Sequence, residues 1–352
     1  MTRMQRLLVA LSCLALIVAG CSSGGSASPS ASESTAASEP AAPEASASEE
    51  ASEEATPVEM TSVDFRLNWV IAGNHAPFFL AKQEGFWEDC GLDVSMAAGQ
   101  GSGDTAQLVA NGSQQFGLTD AVSIVAGATR GLEITALGVV YQTNPASIVS
   151  KKAADITSLE DVAGRTWGAV PGGSPYLLLK ALFAEEGIAD VREVSVPAPG
   201  IAQLLSDQVD FITFFANEVA NIDPDPDANL NVLPLADFGQ DIYGLAIASS
   251  PDYIAENPDK VQCFVDGVRQ GWEAAEADPE AALDALEAAN PESAERRAVH
   301  EALLQGAFDY DGDGDFLAQT ADKWDETQQV LADAGIIEST VDVTDIFTDE
   351  YQ

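Results

Sequence analysis

Residues 64–94 read DFRLNWVIAGNHAPFFLAKQEGFWEDCGLDV, and the order of patterns within them decides the fold class. Val63, Phe65, Leu67 and Trp69 alternate with polar neighbours, the period of a half-buried strand. Asn68 and Trp69 fall at the end of that strand, and a short Gly-Asn loop carrying His75 follows. Pro77 suits the first turn of a helix, where its missing N–H costs little. Phe78, Phe79, Ala81, Phe86 and Trp87 predict that helix, and Gly91 ends it. Residues 92–96 predict the next strand. Strand, loop, helix, strand is the opening unit of an α/β lobe, in which ligands gather at the carboxyl ends of strands. An indole and an imidazole, Trp69 and His75, stand at that end.

Upstream of this unit the composition is of another kind. Arg3 and Arg6 precede an apolar run over 7–18 that is too short for a comfortable membrane span and reads as a signal peptide. Its ending, Ala19-Gly20-Cys21, resembles bacterial lipoprotein signals, which implies that Cys21 becomes the lipid-bearing mature N-terminus. Residues 1–21 are therefore the signal. Residues 22–58 are Ser, Ala, Glu and Pro with almost nothing large and apolar, and such a stretch cannot bury enough surface to offset its ordering entropy. It predicts a disordered tether. The whole chain of 352 residues is long enough for two ordinary domains. Its 57 acidic against 15 basic residues, a formal charge of −42, argue against nucleic acid or an anionic membrane surface as a charge-driven partner. Such a coat is usually a solubility device.

Downstream, Gly99-Gln100-Gly101-Ser102-Gly103 is a flexible loop before a helix over 104–110, with Asp104 as its N-cap. The run lacks the lysine and spacing of a P-loop, so it predicts close backbone approach to a ligand rather than a nucleotide site. A strand over 115–119, a helix from Asp120 to 129 and a strand over 132–141 follow. Near Asn144-Pro145 the chain is expected to cross into a second lobe, with strands over 147–150, 166–170, 191–196, 209–213 and 231–235. Helices are predicted there over 175–186 and 202–206, and 223–227 is a rigid, solvated acidic loop. The chain returns around 243–248, and helices over 258–276, 279–289, 291–305 and 316–334 complete it. The expected division is 59–145 for the first part of lobe one, 146–243 for lobe two, and 244–352 for the remainder of lobe one with a helical tail.

Leu67-Asn68-Trp69, His75, Ala81-Lys82, Gly85-Phe86 and Gly91-Leu92-Asp93-Val94 carry a family resemblance, continued by Phe116-Gly117-Leu118, Arg130-Gly131 and 158–164. From about residue 60 the chain resembles the solute-binding proteins of ABC importers, in the sulfonate- and nitrate-type superfamily. Its branch includes thiamine-pyrimidine synthases and thiamine-precursor binding proteins. The resemblance implies an α/β, two-lobed periplasmic-binding-protein-like fold (type II) with two crossing strands. It implies no cofactor and a monomer that works with an ABC permease and ATPase, held outside the cytoplasm by a lipid anchor in the membrane. The implied ligand is a planar nitrogen-rich ring, foremost a thiamine pyrimidine precursor, with riboflavin as the near rival and nitrate, sulfonate or taurine behind it.

Candidate ligand-binding residues follow from strand ends and from that resemblance. Trp69, Tyr141 and Tyr176 offer rings for stacking, Phe78 is a further ring, and Trp167 is expected in the core of lobe two. Asn68 and His75 offer hydrogen bonds to ring nitrogens. Asp120 is either a cleft carboxylate or a helix N-cap. Asn217 and Glu218 fit the relatives' aromatic-Asn…Glu pattern without its Trp, and a carboxylate suits an exocyclic amine. Gly172, Gly173 and Ser174 open a helix whose free N–H groups face a ligand, with no Lys or Arg among them to match a phosphate. The synthase relatives carry a cofactor-binding lysine and a histidine where Thr119 and Ser123 stand, so an enzyme is not expected. Cys90 and Cys263 form either a disulfide, as export to an oxidising compartment favours, or two buried thiols. Asp309, Asp311 and Asp313 match the first positions of a calcium loop, with Gly314 as its turn glycine and Asp315 beside it. Thr320 stands where its bidentate Glu belongs, which favours an acidic turn and no metal.

Overall fold

The computed structural model describes residues 59–171, 173–197, 199–223, 229–312 and 316–352. The signal 1–21 with Cys21, the tether of 22–58, Gly172, positions 224–227 of the acidic loop, and Asp313, Gly314 and Asp315 lie outside them.

The opening unit forms as its pattern dictates. Strand β1 (Thr61–Arg66) leads through a 3-10 turn (Gly73–His75) into helix α1 (Ala76–Gln83), and strand β2 (Leu92–Ala97) follows. The helix is shorter than predicted: Phe86 and Trp87 lie beyond α1, and a separate 3-10 turn (Glu88–Cys90) reaches Gly91, whose φ of 89° ends it. Phe65 and Phe78 meet edge to face at 5.3 Å, which locks α1 onto the sheet and places Phe78 in the core rather than in a cleft.

Two five-stranded sheets make up the body. The first has the order β2-β1-β3-β10-β4, with β3 (Phe116–Asp120), β4 (Thr135–Val139) and β10 (Leu245–Ser249). The second has the order β7-β6-β8-β5-β9, with β5 (Ala146–Lys151), β6 (Thr166–Ala169), β7 (Arg192–Ser195), β8 (Phe211–Phe215) and β9 (Leu230–Pro234). One plan serves both. In each sheet the parallel trio is joined by a reversed strand: β10 runs antiparallel to β3 and β4, and β5 antiparallel to β8 and β9. Each reversed strand is the one that has just crossed from the other sheet. The two crossings lie side by side, where Asn144 donates its backbone N–H to Ile242 at 2.7 Å and Gly244 donates to Tyr141 at 2.9 Å.

Helices α2 (Ser102–Ala110) and α3 (Ala121–Ala128) follow strands of the first sheet, and α4 (Ser174–Glu185) and α5 (Ile201–Leu205) belong with the second. The C-terminal helices α6 (Pro251–Glu256), α7 (Pro258–Ala277), α8 (Pro279–Ala289) and α9 (Arg297–Phe308) return to the first sheet, and α10 (Ala321–Asp333) closes the set. Trp87 stacks on Phe264 of α7 at 5.4 Å, and Cys90 is bonded to Cys263 with α-carbons 5.9 Å apart. A second apolar cluster runs through α3, β4, β5, α4 and α10, so it draws on both sheets. There Trp167 lies with Phe183, as expected of it.

The glycine run 99–103 differs from its expected role. Gly99 and Gly101 donate their N–H groups to the carbonyls of Trp69 and Asn68, and a Cβ on Gly99 would come 2.0 Å from the Leu67 carbonyl. The close approach is to the end of β1. Helix α2 also begins earlier than predicted, capped at Gly101, with Asp104 in its first turn rather than at its cap.

Candidate functional site

Asn68, Trp69, His75, Asp120 and Tyr141 end or follow strands of the first sheet, and Gly173, Ser174, Tyr176, Asn217 and Glu218 follow strands of the second. Past β1, Asn68 is buried while Trp69 keeps 39% of its surface exposed, the largest exposed aromatic among the described residues. Asn68 is held by His75. The backbone N–H of Ala72 donates to His75 Nδ1 at 3.2 Å, which leaves the proton on Nε2, and that nitrogen meets Asn68 Oδ1 at 2.9 Å. His75 is therefore a neutral, buried orienting group. Desolvation first, and repulsion from His300 second, lower its pKa to about 3. His300, on α9, in turn accepts from the backbone N–H of Gly73 at 3.1 Å. A histidine of the helical tail thus supports the turn that positions His75.

From that turn a polar group extends to the second sheet. Asn74 and Asn217 both lie close enough to the Tyr141 hydroxyl to favour its ionised form, while burial and the Glu218 carboxylate disfavour it more strongly and raise its pKa. Asn217 is 7% exposed, yet neither atom of its amide finds a partner of good geometry. Burial lifts the half-buried Glu218 to about 7, so at neutral pH it is divided between acid and carboxylate. Tyr310 leans on Tyr141 with ring centroids 6.2 Å apart.

A second group gathers at the N-termini of three helices. Asp120 caps α3, its Oδ1 accepting from the Ser123 N–H at 2.7 Å. Its carboxyl also feels the hydroxyls of Ser102, at the start of α2, and of Ser174, at the start of α4. Desolvation is the larger influence and raises its pKa against those hydrogen bonds. Ser174 is 5% exposed and its hydroxyl, though near Asp120, lacks a well-formed hydrogen bond. Gly173 caps α4 and is exposed.

Tyr176 is the predicted residue that lies apart. Its ring stacks on Trp167 at 5.1 Å and its hydroxyl donates to Glu193 at 3.0 Å, contacts confined to the second sheet and its helix. Asp311 accepts from Trp272 Nε1 at 2.8 Å, and Asp309 is exposed. Among the described residues no three His, Cys, Asp or Glu side chains gather to hold a metal. Sequence reasoning passes over Asn74, a polar neighbour of His75 that the turn brings inward, 3% exposed.

The sequence profile described as NMT1/THI5 like matches residues 72–282. The chain belongs to that family. The matched stretch begins just after Asn68 and Trp69 and stops before α9 and α10. Among curated relatives, the riboflavin-binding protein RibY of Chloroflexus aurantiacus is 26% identical over 311 residues, covering 83% of this chain and 86% of that protein. The 4-amino-5-hydroxymethyl-2-methylpyrimidine phosphate synthase of Legionella pneumophila is 21% identical, covering 82% of this chain and 92% of the synthase. Among solved structures, the aliphatic sulphonate-binding protein SsuA of Escherichia coli superposes with a TM-score of 0.64 at 15% identity, covering 81% of this chain and 91% of SsuA. The alkanesulfonate-binding SsuA of Xanthomonas axonopodis, bound to MOPS, gives 0.61 at 16% identity, with 82% and 99% covered. For this NMT1/THI5-like chain they establish the periplasmic-binding-protein fold, and its two sheets are the two lobes of that fold.

Proposed function

We propose that this protein is the extracytoplasmic solute-binding component of an ABC importer, tethered to the membrane through lipidated Cys21, and that it captures a planar nitrogen-rich ring. The solute it suits best is a thiamine pyrimidine precursor such as hydroxymethyl- or formylaminomethyl-pyrimidine. The observations that carry this reading are an indole, Trp69, left 39% exposed past the end of β1, and the buried amide of Asn217, beside Glu218 and near the Tyr141 hydroxyl, with no well-formed hydrogen bond. Such an indole gives a flat heterocycle a stacking surface. An amide and a carboxyl offer the donors and acceptors that an aminopyrimidine edge requires, and leaving such groups unpaired is costly, so a solute that pairs them is selected. Closure of the two lobes about the crossing segments would trap the ring and present a closed surface to the permease.

Riboflavin is the second reading, and the RibY relative, which covers most of both chains, favours it. Sulfonates fit less well, since the described residues gathered at the cleft include no Lys or Arg. An enzyme fits less well too: Thr119 and Ser123 stand where the resemblance calls for lysine and histidine, and the Thr119 hydroxyl is already given to the Ser102 carbonyl at 2.9 Å. A thermal-shift and tryptophan-fluorescence screen of the two pyrimidines, riboflavin, taurine, methanesulfonate and nitrate tests the proposal. Saturable stabilisation by a pyrimidine supports it. Stabilisation by riboflavin alone selects the second reading, and by an anion alone overturns both.

A further inference from the structure

The chain beyond β1 is gripped through three carbonyls in succession by the loop and first turn of α2. Leu67 accepts from the Thr105 hydroxyl at 3.0 Å, Asn68 from the Gly101 N–H at 2.9 Å, and Trp69 from the Gly99 N–H at 2.9 Å. Successive carbonyls of a straight strand point to opposite sides. One segment takes three in a row only because the chain curls around it after Arg66. The fit is close at Trp69 itself. Gly101 has a φ of 132°, which side chains rarely adopt, and a Cβ there would come 3.9 Å from Trp69 Cζ3. The edge of the indole therefore runs alongside the Gly101 backbone.

Thr105 is the side chain in this grip, and it is fully buried. Its two branches do different work. The hydroxyl holds the Leu67 carbonyl, while the methyl packs toward β3, where a Cβ on Gly117 would meet Thr105 Cγ2 at 2.8 Å. The start of α2 is tied to the same strand, because the Thr119 hydroxyl donates to the Ser102 carbonyl at 2.9 Å. On the other side Asn68 is fixed through its amide, whose Oδ1 meets His75 Nε2 at 2.9 Å. Trp69 thus follows two residues that are held from both sides. A ring set in place before the solute arrives costs less to order on binding.

We infer that Thr105 is a positioning residue for solute capture: its hydroxyl, on the Leu67 carbonyl, presets the backbone that carries the Trp69 indole, so that a flat solute meets a ready stacking surface. The inference rests on the solute-binding reading and adds a residue that touches no solute. Its methyl serves the core, and its hydroxyl serves the site.

The test separates the two branches. Thr105→Val keeps the methyl and removes the hydroxyl, whereas Thr105→Ser keeps the hydroxyl and removes the methyl. A packing role alone makes Ser the more damaging change, and a positioning role makes Val so. Of the 5 tryptophans, Trp87, Trp167, Trp272 and Trp324 are at most 1% exposed, so acrylamide quenching reports on Trp69. In the full chain, with circular dichroism confirming the fold, Thr105→Val should raise the quenching constant and lower the anisotropy of the quenchable emission, and Thr105→Ser should leave both near wild type. Affinity for hydroxymethylpyrimidine should fall about tenfold in Val, where a buried carbonyl has lost its partner, and hold in Ser. Should Val not fold, Thr105→Ala against Thr105→Ser isolates the hydroxyl in the same readouts. A folded Val variant that quenches like the wild type overturns the inference. So does a Ser variant as impaired as Val. Unchanged pyrimidine affinity in Trp69→Ala would undo the solute reading instead, because the quenching comparison needs no solute.

Discussion

His75 shows how far a single residue can be read before its surroundings are known. Its place in a loop at the carboxyl end of β1 is legible, but both ring nitrogens are engaged, one by Ala72 and one by Asn68. Its work is to hold Asn68, and the tautomer that decides this depends on a backbone N–H that no sequence pattern reveals. Tyr176 shows the same limit: its ring stacks on Trp167, and spacing along the chain does not say which face of a helix meets which sheet. Trp69 was legible because a large aromatic at a strand end beside a glycine loop has little to pack against. Trp69→Ala should weaken solute binding by about 1–3 kcal/mol, through lost stacking and burial, and abolish the ligand-induced fluorescence change. Unchanged affinity would move the site elsewhere. Glu218 makes a prediction in pH. Its pKa is raised in the folded protein from 4.5 to about 7, so the unfolded chain releases the proton first as pH rises. The stability tied to the protonated acid is full below about pH 4.5 and is lost as pH climbs through 7. Glu218→Gln removes that loss, so its melting temperature should gain on the wild type between pH 5 and pH 8. A constant difference across that range would show that Glu218 is not held as an acid.

Among elements, the strands were the most legible, since apolar alternation bounded by turn residues leaves few alternatives. The tail helices were less so. Residues 291–305 read as one helix behind a proline, whereas Pro291–Arg296 form a 3-10 turn and α9 starts at Arg297. The predicted helix over 316–334 starts at Ala321, capped by Thr320, because Leu317 pairs with Val139 as an isolated bridge. Helix α6 went unread altogether. Nothing in the sequence announced that α9 would touch both lobes, yet it packs against the turn at Gly73–His75 and against Ala216–Asn221. Gly306 makes the second contact possible: a Cβ there would stand 2.6 Å from the Asn217 carbonyl. Gly306→Ala favours the helix itself, but the added methyl displaces the segment that carries Asn217 and Glu218, at about 1–3 kcal/mol for overpacking. Helicity by circular dichroism should hold while solute affinity falls. Full affinity in that variant would mean that α9 does not set the position of Asn217.

At the scale of the molecule, Cys90 and Cys263 join α7 to the turn after α1 across 173 residues of sequence. The two partners flank the whole second lobe, so reduction should lower stability by about 2–5 kcal/mol, the usual cost of losing a native disulfide, read as a fall in melting temperature. Mass spectrometry of unreduced, alkylated protein checks the bond, and two alkylated thiols would refute it. Cys21→Ser should release the protein from the membrane fraction of a bacterial host, and retention of a cleaved variant there would refute the anchor. The two-lobed plan was legible because strands and helices alternate on both sides of Asn144-Pro145 and a helical tail follows the return around 243–248, in the order the family resemblance implies. The shared apolar cluster was not, because periodicity marks a face as buried without naming what covers it. That cluster, running from α3 through β4 and β5 into α4 and α10, makes the halves inseparable. A calorimetric scan should therefore give one endotherm, and residues 146–243 made alone should fail to fold, having left behind the layer that covers them. A lineage built this way cannot trade one half for another's, so new ligand preferences must come from single substitutions along the facing walls.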